Sequence, residues 1–292
     1  MKRFFKYIIL RIVALVAILF LLDVVFTTIY TKKKGIRNKV EFIFQNEGKT
    51  FDYVFLGSSR VEYHVDTDFL NKKNTIESLN LGISGQDLPE TFLMLKLLIE
   101  QKIKAKKYFI HVDESDLTKV GKKPFTGASY FMPYIKNNEV KNHFKKYDDD
   151  FVLDTKMPFY RYMNYGYKIG YRELLLKSSN NTRKENFFIG LKRVLKDESA
   201  SYVFKDEYKN GLLNEIKTFA KEQNIELVFF TSPYYNSKKI TEFQKFAKNN
   251  NITHYVDSIK DVKYFKDSHH LNNLGARRFT KMLMRDFDLE KH

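Results

Sequence analysis

FDYVFLGSSR, residues 51–60, is the stretch on which the reading of this chain turns. Its apolar and aromatic run from Tyr53 to Leu56 has the composition of a strand buried on both faces, and it stops at a glycine followed by two serines. In an open α/β sheet, ligands bind beyond the carboxyl ends of the strands, so Gly57, Ser58 and Ser59 stand where a substrate would arrive. The same letters also describe an ordinary strand-to-helix turn, because small polar residues are common there. What gives the hydroxyl a use lies at the other end of the sequence.

There, residues 264–279 read YFKDSHHLNNLGARRF, with Asp267 three residues before His270. A serine nucleophile needs a neutral imidazole, one nitrogen of which takes the hydroxyl proton while the other is held by a carboxylate. One short loop supplies both parts: His270 as the base and Asp267 as its orienter. Ser58 is read as orienting the turn, His269 as pointing elsewhere, and the isolated His64 and His111 as structural. No Gly-x-Ser-x-Gly elbow surrounds either serine, which argues against an α/β-hydrolase fold as host. Metal-dependent hydrolysis lacks its ligands, since the chain has no HExxH and no cysteine.

The GSS turn and the DxxH loop together resemble the first and last blocks of the SGNH hydrolase superfamily, also called GDSL hydrolases, with Ser59 as the aligned nucleophile. The segment NLGISGQD, residues 80–87, is similar to that family's second block and puts its oxyanion glycine at Gly85. The third block departs from the pattern. Where the family has Gly-x-Asn-Asp after the third strand, this chain has YFIHVDESDL, residues 108–117, and Ser115 lies nearest the expected asparagine. The resemblance implies a triad of Ser59, His270 and Asp267, and an oxyanion hole from the backbone N–H groups of Ser59 and Gly85, with Ser115 at the third donor's place. It implies no cofactor and no metal. It further implies acyl-ester chemistry on an envelope polysaccharide or acylated glycan, by hydrolysis or by O-acyl transfer, as in anchored members that work beside a membrane-bound O-acyltransferase or in D-alanyl transfer to teichoic acids. The altered third block keeps a second reading open, in which the fold serves as a low-activity partner or binding subunit of such a system.

With 292 residues, 43% hydrophobic and 16% aromatic, the chain can bury one substantial core and carry an appendage. The absence of cysteine excludes disulfides and thiolate chemistry. A formal net charge of +16 favours an anionic partner, but the lysines are spread along the whole chain without any nucleic-acid motif, so nucleic acid is not the expected partner.

The partner that the sequence does indicate is a membrane. Residues 7–30 are nearly all apolar, with Arg11 and Asp23 as the charges, and about twenty such residues cross a bilayer as a helix. A cleaved signal peptide is the competing reading, but no A-x-A cleavage pattern follows. Basic residues flank the span on both sides, so charge does not set the orientation. The family resemblance sets it, with a single-pass anchor in the cell membrane and an extracytoplasmic catalytic domain.

The organisation expected is an anchor over 1–34, a basic amphipathic stalk over 35–50, and an SGNH-like domain over 51–292. Strands are expected at 51–56, 75–80, 107–112, 226–231 and 252–256, and helices at 89–101, 209–223, 241–249 and 274–287. Strands alternating with helices of this length give a parallel sheet with right-handed crossovers, hence a three-layer α/β/α fold of flavodoxin-like type. Residues 118–208 break the rhythm. They contain no clean strand and many aromatics, and are read as a mainly helical insertion whose tyrosines are half-buried core or, as a group, the lining of a sugar groove.

Overall fold

The run around Val54 becomes the centre of a parallel sheet in the computed structural model, which describes residues 1–32, 36–74, 76–118, 127–165 and 187–289. Two compact units divide the chain, one of Asn46–Gly121 with Asn180–His292, the other of Met1–Gln45 with Lys122–Ser179.

The first unit holds the sheet. Its strands are β1 (Thr50–Leu56), β2 (Ser78–Asn80), β3 (Lys104–His111), β5 (Leu227–Thr231) and β7 (Ile252–His254), all paired in parallel in the order β2-β1-β3-β5-β7. Counting only these strands the order is 2-1-3-4-5, the flavodoxin-like arrangement, whose reversal of direction beside β1 leaves a crevice at the strand ends. Side chains alternate between the faces. Tyr53, Phe55, Phe109 and Phe230 share one core with Val61, Leu70, Phe279, Leu283 and Met284, so that face is covered by α3 (Ser59–His64), α4 (Thr67–Asn74) and the last helix, Asn273–Phe287. On the other face α5 (Leu88–Glu100) packs on β1 and β3 and meets helix Gly211–Glu222, with Phe92 and Phe219 edge to face at 5.4 Å. These are the three layers that the alternating pattern requires.

Differences from the sequence reading are local. The second strand is only Ser78–Asn80 within the expected 75–80, position 75 lying outside the described residues. The two short helices after the Gly57–Ser59 turn, α3 and α4, have no counterpart in the sequence reading, because each is too brief to show a period. Within 118–208 the structure does contain a strand, β4 (Tyr202–Val203), which pairs in parallel with β6 (Ser237–Lys238). Much of the rest of that insertion, at 119–126 and 166–186, lies outside the described residues.

The second unit is built on α1 (Lys2–Thr31), a helix of 30 residues that is long and apolar enough to cross a membrane. Its exposed N-terminal two-thirds contrast with Phe26 and Tyr30, which are buried against Phe159 and Tyr162. The amphipathic stretch expected as a stalk forms α2 (Lys39–Gln45), with Val40 and Ile43 buried and the Phe44 ring stacked 3.9 Å from Tyr134. Among the described residues the unit also holds two short 3-10 turns, Ala128–Tyr130 and Met132–Tyr134, and helices α7 (Asn138–Tyr147), α8 (Phe151–Lys156) and α9 (Tyr160–Asn164).

Candidate active site

The end of β1 delivers the two serines to different tasks. Ser58 caps α3, its hydroxyl accepting from the Arg60 backbone N–H at 3.2 Å and donating to Asp113 Oδ2 at 2.6 Å. Ser59 opens the helix, and its Oγ lies 2.9 Å from His270 Nε2.

His270 sits in a loop closed by the antiparallel bridge of Phe265 and Leu271 and by the Lys266 N–H donating to its carbonyl at 2.8 Å. The spacing of three lets one carboxylate organise the loop. Asp267 Oδ1 accepts the backbone N–H groups of His269 (2.9 Å) and His270 (2.8 Å), and both its oxygens lie within 3.1 Å of His270 Nδ1. Partial burial works to raise the Asp267 pKa, but the hydrogen bond from His270 and the two backbone donors hold it well below the ordinary carboxylate range. An ionised Asp267 requires Nδ1 to carry the proton. Nε2 is then left as an acceptor for the Ser59 hydroxyl, which is the arrangement general-base activation of a serine needs.

Behind this line lies a buried polar network that sequence reasoning missed. The Arg60 guanidinium, 3% exposed, donates to Ser232 Oγ at 3.0 Å and to the carbonyls of Ser232 and Pro233, lies 3.4 Å from Asp113 Oδ1, and stacks over the Tyr234 ring at 3.3 Å. His64 Nε2 accepts the Leu271 N–H at 3.0 Å, so its Nδ1 is the donor to Ser232 Oγ at 2.8 Å. Ser232 in turn presents both its hydroxyl and its N–H to His111 Nε2 at 3.1 Å. Through His64, the helix that carries Ser59 thus grips the residue after the base. Burial depresses both buried imidazoles, His64 well below its ordinary value and His111 to about 4. Burial also works to raise Asp113, while His111, Arg60 and the Ser58 hydroxyl bring it below its ordinary value.

The remaining predicted residues fall as follows. Gly85 lies in the turn after β2 with φ +81°, a conformation that suits glycine, and its neighbour Ser84 is tied to Glu62 and to the Tyr63 hydroxyl. Ser115 is on α6 (Glu114–Thr118), where its carbonyl accepts from Thr118 Oγ1, and among the described residues no hydrogen bond joins it to Ser59 or Gly85. Asp113 is the residue of that block tied to the nucleophile turn. One signal for the missed network was present, since SPYY after β5 repeats at residues 232–235 the small-polar strand ending seen at Ser58.

Aromatic rings border the triad. Tyr63 meets His270 edge to face at 5.7 Å, and Tyr202, stacked 4.1 Å from Tyr234, meets His269 at 4.9 Å. Of the insertion's aromatics, Tyr202 is therefore near the site, whereas Phe159, Tyr162 and Tyr165 are buried in the α1 unit. Among the described residues no group of three or more His, Asp or Glu side chains is placed to hold a metal ion.

No protein-family model and no curated protein matches the chain. Among solved structures, the chain is similar to one from Desulfitobacterium hafniense DCB-2 assigned to the G-D-S-L family of lipolytic proteins, at 14% identity and a TM-score of 0.29, over 80% of this chain and 98% of that one.

Proposed function

We propose that this chain is a membrane-anchored, serine-dependent acyl-ester enzyme of SGNH type, acting on a cell-envelope glycan as a hydrolase or O-acyltransferase through an acyl-serine intermediate. The observation that carries the reading is the continuous line from Ser59 Oγ through His270 to Asp267, with 2.9 Å and 3.0 Å steps. In the first half-reaction the Ser59 proton passes to His270 Nε2 as the oxygen bonds to the ester carbonyl. The tetrahedral oxyanion is met by the N–H groups of Ser59 and Gly85, each such donor being worth about 100- to 1000-fold in turnover. The alcohol then leaves with the proton from His270. In the second half, His270 takes a proton from water or a sugar hydroxyl, whose oxygen displaces Ser59. Tyr63 and Tyr202, which flank His270 and His269, are the aromatic residues proposed to border the sugar. The membrane reading rests on the length and apolar character of α1, and the extracytoplasmic side proposed for the residues after Tyr30 rests on the motif resemblance.

An activated-serine probe such as a fluorophosphonate, applied to the full chain in detergent, tests this. Ser59 is expected to be the labelled residue, His270→Ala to abolish labelling, and Asp267→Asn to slow it by a smaller but large factor. Removing Ser59 and His270 together should cost turnover hardly more than removing either. A folded chain whose Ser59 stays unlabelled would support the low-activity partner reading instead. Partition of the acyl group between water and an added sugar acceptor separates hydrolase from transferase.

A further inference from the structure

Outside α1, the exposed large apolar side chains of the described residues are unevenly placed. Val152, Leu153, Met157 and Met163 crowd into one short stretch of the α1 unit, whereas Val194, Val203 and Leu274 are scattered through the other. That stretch is also the one bound to the apolar helix. Asp23 is held in a fork by Arg161, with both N···O distances 2.8 Å, and accepts the Phe159 N–H at 2.9 Å. Arg161 donates further to Thr27 Oγ1 at 2.9 Å, which lies 2.8 Å from the Tyr162 hydroxyl.

These contacts set a depth. An ionised side chain in hydrocarbon is costly, so the depth that suits the Asp23–Arg161 pair is the edge of the span. Residues 4–22, on the N-terminal side of Asp23, rise about 28 Å at 1.5 Å per residue, close to the ~30 Å of a bilayer's hydrocarbon, with Lys6 and Arg11 in the first three turns, where long basic side chains snorkel to the N-terminal interface. The cluster does not stop at that edge: Leu19 and Leu22, on the hydrocarbon side of Asp23, pack against the group of Phe26, Tyr30, Phe159 and Tyr162. Residues flanking those rings in sequence are the exposed apolar ones, joined by an exposed Lys156.

We propose that residues 151–163 dock on the lipid leaflet from which α1 emerges, seating Val152, Leu153, Met157 and Met163 at the boundary of headgroups and acyl chains. The surface works as an interfacial helix pair does, its apolar side chains towards the acyl chains and its polar ones towards headgroups and water. The inference rests on the reading of α1 as a membrane span.

The chain contains no tryptophan, so single substitutions report their own depth. Leu153→Trp, Met157→Trp and Val16→Trp, each in the full chain, are reconstituted into phosphatidylcholine–phosphatidylglycerol vesicles whose acyl chains are brominated either near the headgroup or near the methyl end. The Leu153 and Met157 probes are expected to lose roughly half their emission to the shallow bromines and little to the deep ones, as befits side chains at the interface. The Val16 probe should be quenched most by the deep bromines. Quenching at Val16 with none at either docking position overturns the docking surface and leaves the span standing. Absence of quenching at Val16 overturns the span, and the docking surface with it.

Discussion

His111, 2% exposed, shows what a buried imidazole behind the Ser59 turn does to the whole protein. Its Nε2 is occupied by two donors from Ser232, and burial holds its pKa at about 4 against an ordinary 6.5. The unfolded chain therefore binds the extra proton first as pH falls, and stability drains away between about pH 6.5 and 4, by on the order of 3 kcal/mol. His64 pulls in the same direction. We expect the melting temperature in detergent to drop on going from pH 7.5 to pH 5, and His111→Gln, whose amide oxygen can still accept from Ser232, to shrink that drop. An equal drop in both proteins would refute the assignment. At this scale the sequence was most legible where a motif was local. Asp267 and His270 announce each other across three residues, and Ser59 follows a glycine at a strand end. The network of Arg60, His111, Asp113 and Ser232 left only the small-polar ending of β5 as a trace in the sequence, since its members come from α3 and from the ends of β3 and β5 and meet only when the sheet forms.

Among the elements, those with length and periodicity were visible. β1, β3 and β5, helix Thr241–Asn249 and the last helix all lie within a few residues of their expected bounds. β2 was overextended because its neighbours in sequence continue the β-like composition, while its actual start at Ser78 is fixed by a side chain, Asn71, bonding to both its amide and its hydroxyl. Short α3 has no period to read, and it is held by tertiary bonds instead. Asn80, fully buried at the end of β2, donates to the carbonyls of Val61 and Val65 at 2.8 and 2.9 Å. Close beside it, a Cβ at Gly82 would stand 2.5 Å from the Glu62 nitrogen and 2.8 Å from the Ser58 carbonyl oxygen, backbone atoms that cannot step aside cheaply. Gly82→Ala should therefore push α3 away from β2, costing about 2–3 kcal/mol. Displacing Ser59 from His270 by even an ångström should slow fluorophosphonate labelling by about 100-fold. Gly211→Ala, where a Cβ meets nothing within 4 Å, is the matched control and should label normally. Normal labelling of Gly82→Ala would mean that the nucleophile turn does not depend on this approach.

For the whole molecule, strand order and layering followed from the alternation of strands and helices, and the apolar helix from its length. Its partners did not follow, because Asp23 and Arg161 stand 138 residues apart and neither side chain signals the other. The sequence alone gives an anchor over 1–34, a stalk over 35–50 and a body from 51, whereas in the structure residues 1–45 and 122–179 form one compact unit. Removal of residues 1–34 tests what that grouping means. Every strand of the five-stranded sheet lies beyond the cut, as do Ser59, Asp267 and His270, so the shortened chain should retain its α/β circular dichroism and its Ser59 labelling. The α1 unit should not survive. Arg161, 5% exposed in the full chain, loses the carboxylate of Asp23 and the hydroxyl of Thr27, and Phe159 and Tyr162 lose Phe26 and Tyr30. A guanidinium so uncovered, on a helix of only five residues, is open to trypsin. Cleavage after Arg161 is expected in the shortened chain at a trypsin concentration that leaves the full chain intact there. Continued protection of Arg161 would show that α1 is a tether and no part of that unit's core, and loss of Ser59 labelling together with the circular dichroism would show that the sheet unit cannot stand without it.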